Sequence, residues 1–291
     1  MAKLINKILW ATDFSDESRE ALTYVSDFAR TFDAKILAVH VVPDFSPVLY
    51  NTAPVMKGEL VSRVDVIKNN MKNRLEDLSR KADIDFDVLI KEGTAAKRII
   101  ETAEEEGADM IVMGRRGRSA IEKLFIGSVA NQVLRNSPVP LLLTKKRPGR
   151  NGFRKLLVPT DFSEFEEIER DYAWKLAKAF DADLTLLHVL ELHDHEFSPR
   201  ELEDMMAAVL KRLRQRKSRE KEDIRVTEDI ARAVDAATGI VDYVDTNRID
   251  LIVISTCGPG KIERFFLGST TEKVISYSPV PIFAIPAVHS R

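Results

Sequence analysis

The chain contains the same pattern twice, and this internal repeat limits its fold more than any other feature. Thr-Asp-Phe-Ser occurs at residues 12–15 and again at 160–163, 148 residues later. Ser-Pro-Val-Pro stands at 137–140 and again at 278–281, 141 residues later, so the second copy is seven residues shorter. A repeat of this size indicates two copies of one domain. The 291 residues are enough for two ordinary hydrophobic cores.

A charged stretch rich in turn-forming residues separates the copies. Residues 145–152 read Lys-Lys-Arg-Pro-Gly-Arg-Asn-Gly, a composition typical of a linker. We therefore predict a first domain at residues 1–147 and a second at 152–291. Ser15 is placed to cap the first helix of the first domain. In the second domain, Ser163 and Glu166 have the spacing of a capping box.

Short apolar runs alternate with segments of helical spacing in each copy. This alternation predicts a parallel sheet covered by helices on both faces, with ligands bound outside the carboxyl ends of its strands. The strands predicted in the first copy are 8–11, 35–42, 86–90, 110–113 and 139–144. The helices predicted there begin after Ser15, contain 60–78 and span 95–106.

Composition argues against several classes of protein. The formal net charge of −2 gives no overall attraction to nucleic acid or to an anionic membrane. The one cysteine, Cys257, cannot form an internal disulfide, which fits a reducing compartment. The N-terminal apolar run is too short for a secretory signal, and no run of about 18 apolar residues predicts a membrane span. We expect a cytoplasmic protein that binds neither nucleic acid nor membranes.

A glycine-rich loop follows the fourth predicted strand of the first copy. Its glycines are Gly114, Gly117 and Gly127, and Ser128 begins a segment of helical spacing. Glycine permits positive φ and the close approach of a ligand, so backbone N–H groups can turn toward an anion. The start of the following helix favours an anion as well. No Lys-Ser or Lys-Thr pair follows Gly117 as a Walker loop requires.

These motifs together resemble the universal stress protein family in its tandem, two-domain form. The resemblance rests on Gly114-x-x-Gly117, nine residues, then Gly127-Ser128, with Thr-Asp-Phe-Ser before and Ser-Pro-Val-Pro after, and it covers nearly the whole chain twice. It implies two tandem doubly wound, Rossmann-like α/β domains of the adenine nucleotide alpha hydrolase-like type. Each would have a five-stranded parallel sheet of order 3-2-1-4-5. The last strands would pair as an intramolecular pseudo-dimer, and a homodimer of chains stays open.

The resemblance also implies that some members bind ATP, and we expect ATP or a related adenine nucleotide with magnesium in the first domain. Residue types and positions suit this, because Asp13 and Val41 approach the carboxyl edge of the sheet. Three arginines add charge for a triphosphate: Arg115, Arg116 and Arg118. Adenine and ribose contacts would fall on Ala11, Asp13 and Val41, and ribose and phosphate contacts on Gly114, Gly117, Gly127, Ser128 and Val129. Alternatively, the glycines only make the turn and Asp13 caps the helix or braces the loop.

The second copy departs from this pattern. Ser255 replaces the first glycine, so a hydroxymethyl group projects where a sugar would lie. Pro259 removes a backbone donor, and Val234 stands where the first copy has Gly93. The loop retains Gly258, Gly268 and Ser269. We expect no nucleotide in this half, hence no more than one site per chain, and we interpret Cys257 as an inert thiol.

Two other segments have the composition of a site without its context. Residues 193–196 read His-Asp-His-Glu, yet two neighbouring histidines cannot enclose a metal without remote ligands. Residues 211–219 are strongly basic, but no aromatic residue interrupts them to stack on bases. We assign neither a metal nor a nucleic acid to them.

Three functions remain open at this point, and no catalytic residue is assigned. The favoured one is a non-catalytic stress-response regulatory protein that binds an adenine nucleotide in its first domain and transmits occupancy through the surface between the domains. The second is an ATP-hydrolysing or phosphoryl-transfer enzyme, although no general base is evident. The third is a scaffold that binds no nucleotide.

Overall fold

The structure is a computed structural model that describes residues 3–44, 54–117, 126–145, 152–162, 166–192, 197–217, 223–256 and 267–286. The elements of the first half are β1 Lys7–Ala11, α1 Asp16–Phe32, β2 Lys35–Val42, α2 Pro54–Ala82, β3 Asp87–Glu92, α3 Ala95–Glu105, β4 Met110–Gly114, α4 Ser128–Asn136 and β5 Leu141–Thr144. Those of the second half are β6 Lys155–Pro159, α5 Glu166–Phe180, β7 Asp183–Glu191, α6 Pro199–Lys217, β8 Val226–Ala233, α7 Ala236–Asn247, β9 Leu251–Ser255, α8 Ser269–Tyr277 and β10 Ile282–Ile285.

All ten strands form one sheet in the order β3-β2-β1-β4-β5-β10-β9-β6-β7-β8. Strands within each half are parallel, so each half has the predicted order 3-2-1-4-5. The predicted doubly wound α/β fold is therefore confirmed. Its strand boundaries differ from the prediction by one or two residues, for example at β3 Asp87–Glu92, because short apolar runs do not mark the ends of backbone pairing.

The two halves join where β5 pairs with β10, and this pair is antiparallel. Leu142 lies opposite Phe283, with Leu143 opposite Ile282. An apolar edge strand exposed to water would offer unpaired N–H and C=O groups to other chains, and each strand covers the other. The predicted intramolecular pairing of the last strands is confirmed.

A core lies on each face of the sheet because successive strand residues point to opposite sides. On β1, Trp10 faces the core formed with α1, α2, α5 and α6, whereas Leu9 faces the core formed with α3, α4, α7 and α8. Both cores contain residues of the two halves. Each layer of helices therefore continues across the β5–β10 junction.

An aromatic cluster spans the two halves beneath the first of these layers. The Phe28 ring of α1 lies 5.0 Å from the Phe180 ring of α5, 5.6 Å from that of Phe153 and 6.2 Å from that of Phe283. Phe28 itself is fully buried. The cluster thus connects the first helix of one half to a helix, a strand and the entry segment of the other.

Candidate functional site

The Thr-Asp-Phe-Ser segment makes a tight turn at the carboxyl end of β1. Phe14 adopts a left-handed conformation with φ of 62°, and its N–H donates to Thr12 Oγ1 at 3.1 Å. Ser15 caps α1 as predicted, because its Oγ accepts the Ser18 N–H at 3.3 Å. These bonds hold Asp13 at the edge of the sheet where ligands of this fold bind. The capping box proposed for Ser163 and Glu166 lies outside the described side chains.

A ring sandwich holds this turn against the sheet. His40 Nδ1 lies 2.7 Å from Thr12 O, and the His40 ring lies 4.8 Å from the Phe14 ring. The guanidinium carbon of Arg74 sits 4.2 Å from the centroid of the Phe14 ring. The second half repeats the arrangement with Thr160, Phe162, His188 and Arg212. This supports a structural role for both histidines. The equivalence of Arg74 and Arg212 was not found in the sequence, because their helices lie in the part of the repeat that changes length.

Gly117 is pressed against the carboxylate of Asp13. A Cβ built on Gly117 would lie 2.7 Å from Asp13 Oδ2. Asp13 Oδ1 meanwhile accepts the Ser15 N–H at 3.0 Å, as the bracing alternative expected. One carboxylate thus braces the turn with one oxygen and holds the other beside the glycine loop.

The glycines of the loop lie where other parts of the protein leave no room for a side chain, and they do not have unusual backbone angles. A Cβ on Gly114 would lie 3.1 Å from Glu17 Cβ and from Ser18 N of α1. Gly127 has φ of −61°, and a Cβ there would lie 3.4 Å from Arg115 O. Gly93, Gly107 and Gly152 are the described glycines with positive φ. Positive φ, which glycine permits, is therefore not what places glycine at 114, 117 and 127; at these positions the close neighbours are other parts of the protein.

The helix after the loop begins without a side-chain cap. The N-cap of α4 is Gly127, which has no side chain to accept a hydrogen bond from the first turn. Its own N–H donates to Arg115 O at 2.9 Å. The first intrahelical bond from this cap is Asn131 N to Gly127 O at 2.9 Å. The N–H groups from Ser128 onward in the first turn therefore have no intrahelical acceptor. Ser128 is exposed, and no acidic residue occupies this turn, so the turn suits an anion.

The two described arginines of the loop bind other groups of the protein. The sequence analysis expected them to face a triphosphate at this turn, and they do not. Arg116 Nε lies 2.9 Å from Glu17 Oε1, and the Arg116 N–H donates to Glu17 Oε2 at 2.9 Å. Arg115 is 3% exposed and donates to the carbonyl oxygens of Ile275 and Ser278 in the second half. Burial, and then the charge of Arg116, lower the pKa of Arg115 to about 10. Both side chains differ in this way from the predicted phosphate contacts, and Arg118 lies outside the described residues.

The remaining predicted residues lie at the same edge of the sheet. Ala11 is buried at the end of β1, and Val41 is half-buried near the end of the neighbouring strand β2. Their strands are in register, with Ala11 opposite Val39. Val129 is half-buried in the first turn of α4. The structure thus brings Asp13 and Gly117 into contact and sets Ala11, Val41 and the start of α4 around the same carboxyl edge.

Comparison with known proteins shows the family of the chain. The family model of the Universal stress protein family matches residues 5–145 and 152–286. The chain belongs to the universal stress protein family. Universal stress protein MJ0531 of Methanocaldococcus jannaschii is 36% identical over 146 residues, covering 49% of this chain and 84% of that protein. A universal stress protein of Mycolicibacterium smegmatis is 23% identical over 290 residues, covering 96% of both.

A solved structure shares the fold across the tandem pair. The crystal structure of a universal stress protein from Archaeoglobus fulgidus aligns with a TM-score of 0.72 and 24% identity. The alignment covers 99% of this chain and 100% of that one. Within the described residues, no helix is both long enough and apolar enough to cross a lipid bilayer.

The second universal stress protein domain keeps the backbone bond between the two ends of the loop, but the residues next to those ends differ. Gly268 N donates to Thr256 O at 3.1 Å, as Gly127 N does to Arg115 O in the first domain. Ser255 stands in place of Gly114, and its N–H donates to the carboxylate of Glu169. Glu272 lies in the first turn of α8 and gives it an acidic side chain that α4 lacks. Cys257, Gly258, Pro259 and residues 193–196 lie outside the described residues.

Glu169 is a buried carboxyl group that the sequence analysis did not identify. It occupies the position of Ala21 in the first repeat and is 8% exposed. Burial raises its pKa to about 8; the Ser255 N–H opposes this shift and the nearby Asp161 adds to it. The signal was present as a glutamate at a position that is apolar in the other copy. No group of three metal-ligating side chains occurs among the described residues.

Replacing Glu169 by glutamine is expected to reduce the pH dependence of stability. The carboxyl stays protonated in the folded protein up to about pH 8, but in the unfolded chain it ionises near the ordinary glutamate pKa of 4.5. Unfolding therefore releases a proton between these values, and wild-type stability falls as pH rises, by at most about 1.4 kcal/mol per pH unit. Glutamine does not titrate, so the free energy of unfolding of the variant should rise relative to that of wild type from about pH 5 to 8.

Urea denaturation at several pH values measures this difference. Glu167→Gln is the matched control, because Glu167 is exposed on the same helix. Parallel stability curves for wild type and Glu169→Gln across this pH range would show that the carboxyl does not titrate abnormally.

Proposed function

We propose that this universal stress protein binds ATP or a related adenine nucleotide in its first domain and acts as a non-catalytic stress-response regulatory protein. The observation that carries the proposal is one juxtaposition. The Asp13 carboxylate touches Gly117, and the uncapped start of α4 lies at the other end of the same loop. A carboxylate suits the polar groups of a nucleoside, and free helical N–H groups suit phosphate.

In this proposal the phosphates bind backbone rather than arginine side chains. The N–H groups at Ser128 and Val129 would hold phosphate oxygens, with Gly114, Gly117 and Gly127 leaving room for sugar and phosphate. Asp13, Ala11 and Val41 would contact the adenosine. Arg115 and Arg116 would contribute only their backbone, because their guanidinium groups are engaged elsewhere. Magnesium would bind to the phosphate oxygens of the nucleotide, since this cation is commonly bound through substrate phosphates.

The second domain is proposed to bind no nucleotide. Ser255 carries a side chain where Gly114 has none, and its N–H is taken by Glu169. Glu272 disfavours an anion at the start of α8, because an acidic side chain there already occupies the positive end of the helix dipole. The two domains would therefore differ in occupancy.

Calorimetric titration with ATP and magnesium is expected to give one site per chain. Two equivalent sites would contradict the proposed asymmetry. Absence of both heat and a thermal shift at millimolar nucleotide would contradict binding. Phosphate release is then measured in the saturated complex, and turnover in the usual range of enzymes, about 1 per second or faster, would replace the regulatory proposal by the enzymatic alternative.

A further inference from the structure

Arg115 extends from the glycine loop of the first domain into the second domain. Its side chain is 3% exposed, and Nη1 donates to the carbonyl oxygens of Ile275 and Ser278, the latter at 3.2 Å. Lys145 Nζ donates to the same Ser278 oxygen at 3.2 Å. Two cations of the first domain therefore converge on one end of α8.

The acceptors explain why a buried cation is tolerated there. The last carbonyl groups of a helix lack intrahelical donors and carry the negative end of its dipole. Helix α8 has no basic residue in its own last turn, and Ser278 is its C-cap. Arg115, together with Lys145, therefore supplies from the other domain the donors and the positive charge that this helix end does not have of its own.

The backbone of Arg115 is also the base of the glycine loop. Its N–H donates to Thr144 O at 3.1 Å, and its carbonyl accepts the Gly127 N–H at 2.9 Å. The second of these bonds sets where α4 begins. A movement of the Arg115 side chain would therefore act on the start of α4 through one residue.

Among the described residues, the second domain has no counterpart of the Arg115 side chain at this position. Thr256 takes the place of Arg115 in the second domain, with matching backbone bonds to Ile285 O and from Gly268 N. A threonine side chain is too short to reach the corresponding helix end of the first domain. Helix α4 instead has Arg135 in its own last turn. The loop that keeps all its glycines is thus anchored across the interface by Arg115.

We propose that Arg115 is a positioning residue that makes nucleotide affinity in the first domain depend on the end of α8 in the second. This inference rests on the proposed function and adds the route by which occupancy is communicated. Because coupling between two sites is reciprocal, a nucleotide on the loop also stabilises the last turn of α8. The second domain then fixes the position of Arg115, and the stability of its helix α8 depends on a nucleotide bound in the first domain.

The test compares ATP affinity and amide hydrogen exchange in wild type and Arg115→Met. In wild type, ATP is expected to slow exchange in the last turn of α8. Arg115→Met is expected to weaken ATP binding about tenfold, within the ordinary range of coupling between sites, and to remove the slowing in α8. Arg115→Lys keeps the cation and should recover part of both. Arg135→Met is the control, because Arg135 pairs across the same interface with Glu272 at 3.7 Å but lies outside the loop.

The outcomes separate this inference from the function on which it rests. If wild type binds no nucleotide, the proposed function fails first. If wild type binds ATP but its α8 exchange does not change, the coupling is refuted even where Arg115→Met does not fold. Equal affinity in wild type and Arg115→Met, or an equal loss in Arg135→Met, would also overturn the role of Arg115.

Discussion

Gly117→Val is expected to abolish adenine-nucleotide binding while the protein stays folded. Its Cβ would lie 2.7 Å from Asp13 Oδ2, a distance that forces the carboxylate away from the loop. The atom that must move is the end of a side chain, and Gly117 is exposed, so the strands beneath are not disturbed. The branched side chain would also fill the space through which a ligand approaches the loop. Calorimetric titration and circular dichroism measure binding and fold.

Two further variants show which atoms matter. Gly117→Ala adds only the carbon that meets Asp13, so it should cause most of the loss in affinity. Arg116→Ala removes an ion pair with Glu17 rather than a ligand contact, and the backbone N–H of residue 116 can still donate to the Glu17 carboxylate. We expect it to weaken binding least. If Gly117→Val binds ATP as tightly as wild type, phosphate is held elsewhere and this loop is not the site.

The fold was predictable because its signals are repeated and local. Apolar runs and helical spacing occur twice, and Ser15 caps α1 where the residue type indicates. The strand order and the pairing of β5 with β10 followed from the family resemblance, since periodicity alone does not say which strands are neighbours. The glycine spacing indicated the loop, but the reason for it differed. Gly117 is small because Asp13 lies against it, a contact between residues about a hundred positions apart.

The destinations of individual charged side chains were not predictable. Arg115, Arg116 and Arg118 lie within four positions, and nothing in that pattern tells which one crosses to another domain. Arg115 does so where the end of α8 has no basic residue of its own, and the two meet only in the assembled pair. Glu169 stands in a helix that begins with other acidic residues, and its burial depends on how α5 meets Ser255. Both are tertiary effects on residues that look like surface residues in sequence.

Phe28→Ala is expected to destabilise the protein by about 3–5 kcal/mol, the usual cost of emptying a buried phenylalanine site. Its ring is fully buried and lies within 6.2 Å of Phe153, Phe180 and Phe283. All three belong to the second half, so the substitution leaves a cavity where the two halves pack together. Removing the Phe28 ring should therefore weaken the packing between the two halves as well as the core formed with α1, α2, α5 and α6. Urea denaturation measures the total change.

Phe86→Ala supplies the comparison that isolates the attachment. Phe86 is buried, and its ring lies 5.5 Å from that of Trp10, a residue of the same half. Both variants lose a similar ring, but Phe28→Ala removes ring contacts across the junction, whereas the ring contact described for Phe86 is with its own half. Amide exchange in β10 should therefore accelerate more in Phe28→Ala than in Phe86→Ala when each is compared at equal overall stability. Equal acceleration in both would mean that the β5–β10 hydrogen bonds, and not the aromatic cluster, hold the halves together.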